Sequence, residues 1–189
     1  MAPTFDRAYQ LKVSLSYVNP PVWRRFFVRS SIELEVMHRV LQTVMGWTNS
    51  HLHHFIVGET FFGVPDPEWG GDVNDESGVP FDSVLREEGQ SILYEYDFGD
   101  GWMHTVLLEK ILEHDADLDL PKCIAGKRNC PPEDVGGPPG YAAFLQAYLD
   151  RKHPAHQDMV DWAGEGFDPE LFDLDEVNEM LAEGDHLEF

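Results

Sequence analysis

The chain has 189 residues, 42% of them hydrophobic and 12% aromatic, which is enough apolar side chain to bury a core and too much for a disordered polymer. Its 13 Lys and Arg stand against 35 Asp and Glu, a net charge of −22 that sets most of the surface against a phosphate backbone, because non-specific nucleic-acid affinity comes from cations that release counterions. The imbalance is uneven: residues 1–62 carry six basic and four acidic side chains and the remainder seven and thirty-one, so direct nucleic-acid binding is disfavoured everywhere except on the N-terminal strands.

Tyr9 to Tyr17 alternates polar and apolar residues at period two, the pattern of a half-buried strand. After Asn19-Pro20-Pro21 a second strand is predicted, with Val22, Arg24, Phe26 and Val28 on one side and Trp23, Arg25, Phe27 and Arg29 on the other. The two make a hairpin. Ser30-Ser31-Ile32-Glu33 fits a capping box for a helix whose stripe is Leu34, Met37, Leu41, Val44 and Met45, with His38 at its edge and Gly46 as its stop.

Strand character returns in HLHHFIVGETFF, residues 51–62, followed by an acidic Pro/Gly-rich loop from Val64 to Pro80 that breaks regular structure. Within it, Asp72-x-Asn74-x-Glu76 imitates half a calcium loop, but Ser77 and Ser83 stand where that loop needs Gly and a bidentate Glu. Two strands, Ile92–Asp97 and Trp102–Leu112, flank Gly99-Asp100-Gly101, which is expected to supply the positive-φ positions of a tight turn. Residues 114–139 read as irregular. Three short helices follow: YAAFLQAYLD, HQDMVDWAG and, after an Asp173-x-x-Glu176 cap, LDEVNEML. Strands first and helices last, with one early helix among the strands, predict a single α+β domain over residues 1–189.

Chemistry concentrates in a few places. His51 and His53, at i and i+2, would share one face of a strand, and two imidazoles so placed can hold one metal ion with His104 as third ligand and Asp97 and Asp100 beside them. A divalent metal ion is therefore the candidate cofactor. The alternative is that these are packed imidazoles beside a plain hairpin turn. Cys123 and Cys130 have six residues between them, more than the roughly two to four of a zinc knuckle, and read as a structural loop. With no export signal in MAPTFDRAYQ and no run approaching ~18 apolar residues, a cytoplasmic protein with reduced thiols and no membrane segment is expected. No Gly-rich phosphate loop, G-x-S-x-G or H-E-x-x-H is present.

Taken in order, PPVWRRFFV (20–28), Gly46-Trp47, HLHHF (51–55), YDFGDGWMHTVLLEK (96–110), C-x-x-G-x-R-x-C-P-P-E-D-x-G-G (123–137) with Gly140-Tyr141, and FDPELFDLDEVNEML (167–181) resemble the plasmid pRiA4b ORF-3-like family over about residues 8–183. The resemblance implies an α+β roll and an origin on plasmids or as an insertion-sequence passenger, where the label TnpR resolvase occurs; it implies no catalytic residues. Relatives often carry a further Cys where this chain has Val135, which weakens a thiolate metal site. The resolvase label also fails on chemistry, since a serine recombinase needs arginines at the scissile phosphate and a basic DNA-binding segment.

Three functions are thereby expected from residues and resemblance. The first is a non-enzymatic module that binds a protein partner through Trp23, Arg24, Arg25, Trp47 and Trp102, with Trp69 in the acidic loop adding to it, because exposed aromatics and arginines anchor interfaces. The second is a metal-dependent hydrolase or nuclease-like enzyme built on His51, His53 and His104. The third is an acidic DNA mimic.

Overall fold

The computed structural model describes residues 7–65, 72–113 and 119–184, so Trp69 lies outside it. The elements run β1 (Arg7–Leu15), β2 (Trp23–Arg29), α1 (Leu34–Met45), β3 (His53–Val57), β4 (Thr60–Gly63), β5 (Val73–Asp75), α2 (Phe81–Val84), β6 (Ser91–Tyr96), β7 (Trp102–Glu113), β8 (Lys122–Lys127), α3 (Gly137–Leu149), α4 (His156–Ala163) and α5 (Leu174–Glu183). The fold is α+β, as expected. One eight-stranded sheet, in the order β5-β4-β3-β6-β7-β1-β2-β8, is antiparallel at every pairing but β4 with β5.

Period-two alternation decides which face is covered. Tyr9, Leu11, Val13 and Leu15 are buried while Gln10, Lys12 and Ser14 are half-exposed, and β2 and β7 continue the pattern with Phe26, Val28, Val106 and Leu108 inward. Helix α1 lies over this inward face with Met37, Val40, Leu41 and Val44 fully buried. The opposite face stays open, its alternate side chains half-exposed or exposed. At the β8 edge α5 closes the ladder: Asn178 accepts from Cys123 N–H at 2.9 Å and donates to Cys123 C=O at 3.0 Å, so the edge cannot recruit another strand there.

Three local expectations yield to tertiary pairing. The Ser30–Glu33 capping box does not form; the N-cap of α1 is Glu33 with no side-chain bond, because this segment instead bonds to residues 79–82 through Leu34 N to Val79 O, Phe81 N to Ile32 O and Asp82 N to Ser30 O. The acidic loop contains β5, recruited in parallel by β4. The segment read as irregular contains β8, whose pairing with β2 slips by a bulge between Arg25 and Phe26 and so hides its alternation. The Asp173 cap does form, accepting from Asp175 and Glu176 N–H.

Arg24 belongs to the core. Only 3% exposed, it donates from Nε to Val44 C=O at 2.7 Å and from Nη1 to Trp23 and Lys127 C=O at 2.9 and 3.1 Å, with its guanidinium over the Phe172 ring. It ties the last turn of α1 to the β2–β8 pair. Arg24→Met keeps the apolar stem but strands three carbonyls. Urea unfolding is expected to show a loss of about 2 to 3 kcal/mol; a loss below ~0.5 kcal/mol, the scale of an ordinary surface change, would refute the role.

Candidate functional site

The turn between β6 and β7 opens with Asp97 in the left-handed region (φ 56°) and closes with Gly101 (φ 66°); Gly99, expected to share that role, is not among the positive-φ residues. Asp97 tolerates the conformation because its Oδ1 accepts from the N–H groups of Gly99 (3.0 Å) and Asp100 (3.3 Å), while its own N–H bonds to Leu52 C=O at 2.9 Å. The residue is 6% exposed. Its Oδ2 takes no hydrogen bond among the described residues and faces His51 Nε2 at 3.7 Å.

Residues 131–137 dock onto this turn. Asp100 Oδ2 accepts from Gly136 N–H at 3.0 Å, and a Cβ on Gly137 (φ 66°) would lie 2.3 Å from the Asp100 carbonyl oxygen, so only glycine fits. The docking delivers Glu133 and Asp134, the latter also left-handed (φ 58°). Glu133 Oε1 accepts from Thr48 N–H (2.8 Å), Thr48 O–H (3.0 Å) and Tyr96 O–H (3.2 Å). Burial, ahead of nearby Glu133, pushes the Tyr96 hydroxyl up to about 12, so it stays a donor at neutral pH.

The third segment is the loop from α1 to β3, pinned residue by residue. Trp47 Nε1 donates to His104 Nε2 at 3.3 Å; Asn49, at φ 54°, donates its N–H to Gln42 Oε1 and accepts from His38 Nε2 at 2.7 Å; Ser50 N–H donates to the Tyr96 hydroxyl oxygen at 3.0 Å. His51 is thereby presented with Nε2 at 3.2 Å from Asp134 Oδ1, 3.5 Å from Glu133 Oε2 and 3.7 Å from Asp97 Oδ2. The ligand-type atoms of His51, Asp97 and Asp134 all lie within 4.8 Å of one another. Donors about 2.1 Å from a shared cation stand roughly 3 Å apart, so a small inward adjustment would let one imidazole and two carboxylates close on a divalent ion.

The expected trio does not assemble. His51 is in place, but His53 gives Nε2 to Glu76 (3.0 Å) and stacks on His38 with ring centroids 3.4 Å apart. His104, fully buried, donates from Nδ1 to Tyr94 C=O at 3.2 Å and accepts from Trp47, so both its nitrogens are committed. The sheet register explains this: His53 faces Tyr96, and Tyr94 faces His104, all on the side covered by α1. Asp97 moves from the ligands' surroundings into the ligand set, and Asp100 braces the loop. Sequence reasoning does not single out Glu133 and Asp134, although they are adjacent acids in the C-P-P-E-D-x-G-G stretch, because only the docking of that loop on the β6–β7 turn brings them to His51. Cys123 and Cys130 are buried free thiols, raised above their usual pKa chiefly by burial, Cys130 far more than Cys123.

The expected binding surface disperses too. Trp102 is fully buried, Trp47 is 6% exposed and Arg24 is in the core; Trp23 and Arg25 remain half-exposed on the open face of the sheet. Aromatic weight at these positions serves packing, and Trp102 Nε1 is a buried donor without a protein acceptor among the described residues.

An α+β protein with a single open-faced sheet and a histidine–carboxylate cluster at the end of its central hairpin is the class these observations define. The chain belongs to the plasmid pRiA4b ORF-3-like protein family, which matches residues 7–176. It is 40% identical over 174 residues to the uncharacterized protein y4hQ of Sinorhizobium fredii, covering 91% of this chain and 89% of that one. It is similar also to MM3350 of Methanosarcina mazei Go1, a protein of unknown function whose crystal structure matches with a TM-score of 0.84 at 36% identity, over 92% of this chain and 98% of that one. No helix among the described residues is long and apolar enough to cross a membrane.

Burial lowers two histidines behind the site: His104 to about 4, and His38 to about 3 with a further push from His53. Both are neutral when folded, yet accept a proton near pH 6.5 once unfolded. Their stabilisation is complete above about pH 6.5 and declines as pH falls toward those folded values. In urea titrations His104→Gln is expected to lessen the drop in stability between pH 7 and 5 by roughly 2 kcal/mol. An unchanged drop would mean that His104 is not neutral in the fold.

Proposed function

We propose that the protein is a metal-dependent hydrolase whose centre is formed by His51, Asp97 and Asp134, with Glu133 beside it. One observation carries this reading: His51 Nε2 stands among three carboxylate oxygens, delivered by the 48–52 loop, the β6–β7 turn and the 131–137 loop, and one of those carboxylates is buried with an oxygen left without a donor. Carboxylates gathered around one imidazole repel one another, and a cation between them offsets that repulsion. A mixed nitrogen–oxygen set of this kind suits zinc, manganese or iron.

A bound divalent ion would supply acidity to water and polarise a carbonyl or phosphoryl oxygen. The chain's own groups would do the rest. Glu133 is held at Oε1 by Thr48, with the Tyr96 hydroxyl shared between its two oxygens at 3.2 and 3.3 Å, while Oε2 faces His51 at 3.5 Å, an orientation suited to accepting a proton from water. Asp134, with its side chain 72% exposed, leaves an open approach for substrate. The interaction module first expected loses support at its original residues, because Trp47, Trp102 and Arg24 are not on the surface.

Elemental analysis of the purified protein, without a histidine tag, is expected to find about one equivalent of metal, lost in His51→Ala and in Asp97→Asn but retained in His53→Ala. A phosphoesterase and peptidase screen then identifies the reaction, with Glu133→Gln expected to lower turnover by about 10²-fold or more while metal remains bound. Absence of retained metal, even after incubation with zinc or manganese, would end this reading.

A further inference from the structure

Six of the chain's 13 basic side chains, Lys12, Arg25, Arg29, Lys110, Lys122 and Lys127, lie on one face of one sheet. Directly paired residues point the same way from a ladder. Register therefore puts Trp23 with Ser14 and Lys127, Arg25 with Lys12 and Ala125, Phe27 with Gln10 and Lys122, and Lys110 with Gln10, all on the face that no helix covers. Among the residues so placed on β1, β2, β7 and β8 only one carboxylate appears, Glu109, and it is already engaged by Arg25 at 2.6 and 2.8 Å and by Gln10 at 2.7 Å. In a protein of net charge −22 this is a basic and partly apolar island. A shallow depression of about 590 Å³ runs across it, lined in part by Gln10, Arg25, Leu107, Glu109 and Lys110.

We propose that this face docks a segment of a partner polypeptide in which a few carboxylates alternate with apolar residues. Charge complementarity selects the carboxylates: Lys122 and Lys127 are exposed, while Lys12 and Arg25 flank the Trp23 ring at 5.0 and 5.3 Å. Phe27, Leu107 and the Trp23 edge, all half-exposed, supply the apolar complement. The partner meets the face rather than the adjacent edge, because Asn178 already occupies the outer backbone groups of β8 at Cys123. Single-stranded nucleic acid fits less well. Its bases need free aromatic faces, whereas the Trp23 ring is attended by two cations, and its dense phosphates meet the repulsion of the whole molecule. The surface is on the opposite side of the sheet from the histidines packed under α1 and does not depend on the metal reading.

The probe is a short fluorescent peptide alternating Glu with Val, titrated by anisotropy at low and high salt, with labelled oligothymidylate in parallel. Saturable peptide binding that weakens with salt and falls roughly tenfold in the double variant K122E/K127E is expected, the size that reversing two rim charges produces. Both side chains are exposed, and thermal melts of the variant verify its fold. Peptide affinity unchanged in the variant, no saturable binding, or tighter binding of oligothymidylate would each overturn the proposal. So would sedimentation showing a homodimer that the peptide does not dissociate, since the face would then be filled by a second copy.

Discussion

The contact of Asp100 with Gly136 and Gly137 is the constraint on which the rest depends. It joins the hairpin turn at the end of the sheet to the segment leading into α3, and it does so through backbone contact too close for any side chain larger than hydrogen. Without it, Glu133 would not reach Thr48 and Tyr96, and the loop that carries His51 would lose one of its anchors. Three segments far apart in sequence thus meet because one turn and one loop are welded.

The face under α1 shows how the site is held from behind. Buried polar groups are tolerated only when their hydrogen bonds are complete, and here they are assembled into a chain: Gln42 and Tyr94, Tyr94 and His38, His38 and Asn49, with His53 stacked on His38 and hydrogen-bonded to Glu76. Gln42, Tyr94 and His38 are core residues, and the chain ends on Asn49 in the 47–50 loop. Histidines that a sequence reading would place in a metal shell instead fix the backbone that presents the one histidine facing the carboxylates. Their neutrality is part of that role, since a proton on His104 would remove the acceptor for Trp47.

Much of the fold was legible because alternation is a direct consequence of having one covered face. The residue pattern separates the two sides of β2, with Arg24 on one and Arg25 on the other, but not which side faces inward; it also cannot tell that three carbonyls wait for Arg24, so that cation was expected on the surface. β8 and β5 escaped because a bulge breaks the alternation of the first and the second is only three residues long. His51 was found by residue type, and its partners were not. Ligand sets depend on register and on loops that return from a distance: Asp134 stands 83 positions further along the chain. The adjacent pair Glu133-Asp134 gave a signal in principle, being two acids at the one place where the family stretch also carries paired glycines.

Charge gives the molecule its polarity. A sheet with helices on one side only must do something with its other side, and an apolar open face would invite association with any exposed surface. This chain places six of its few cations there while its helical half gathers carboxylates, so the two sides differ in sign as well as in shape. Arg25 and Glu109 show the device locally: a bidentate pair neutralises one cation and leaves the lysines around it unmatched within the ladder. The −22 total therefore conceals two separate surfaces. Carboxylates gather beside His51 at the turn of the central hairpin, and lysines gather beside Trp23 on the open face of β1, β2 and β8. A metal ion and an acidic polypeptide would be drawn to different places on the same molecule.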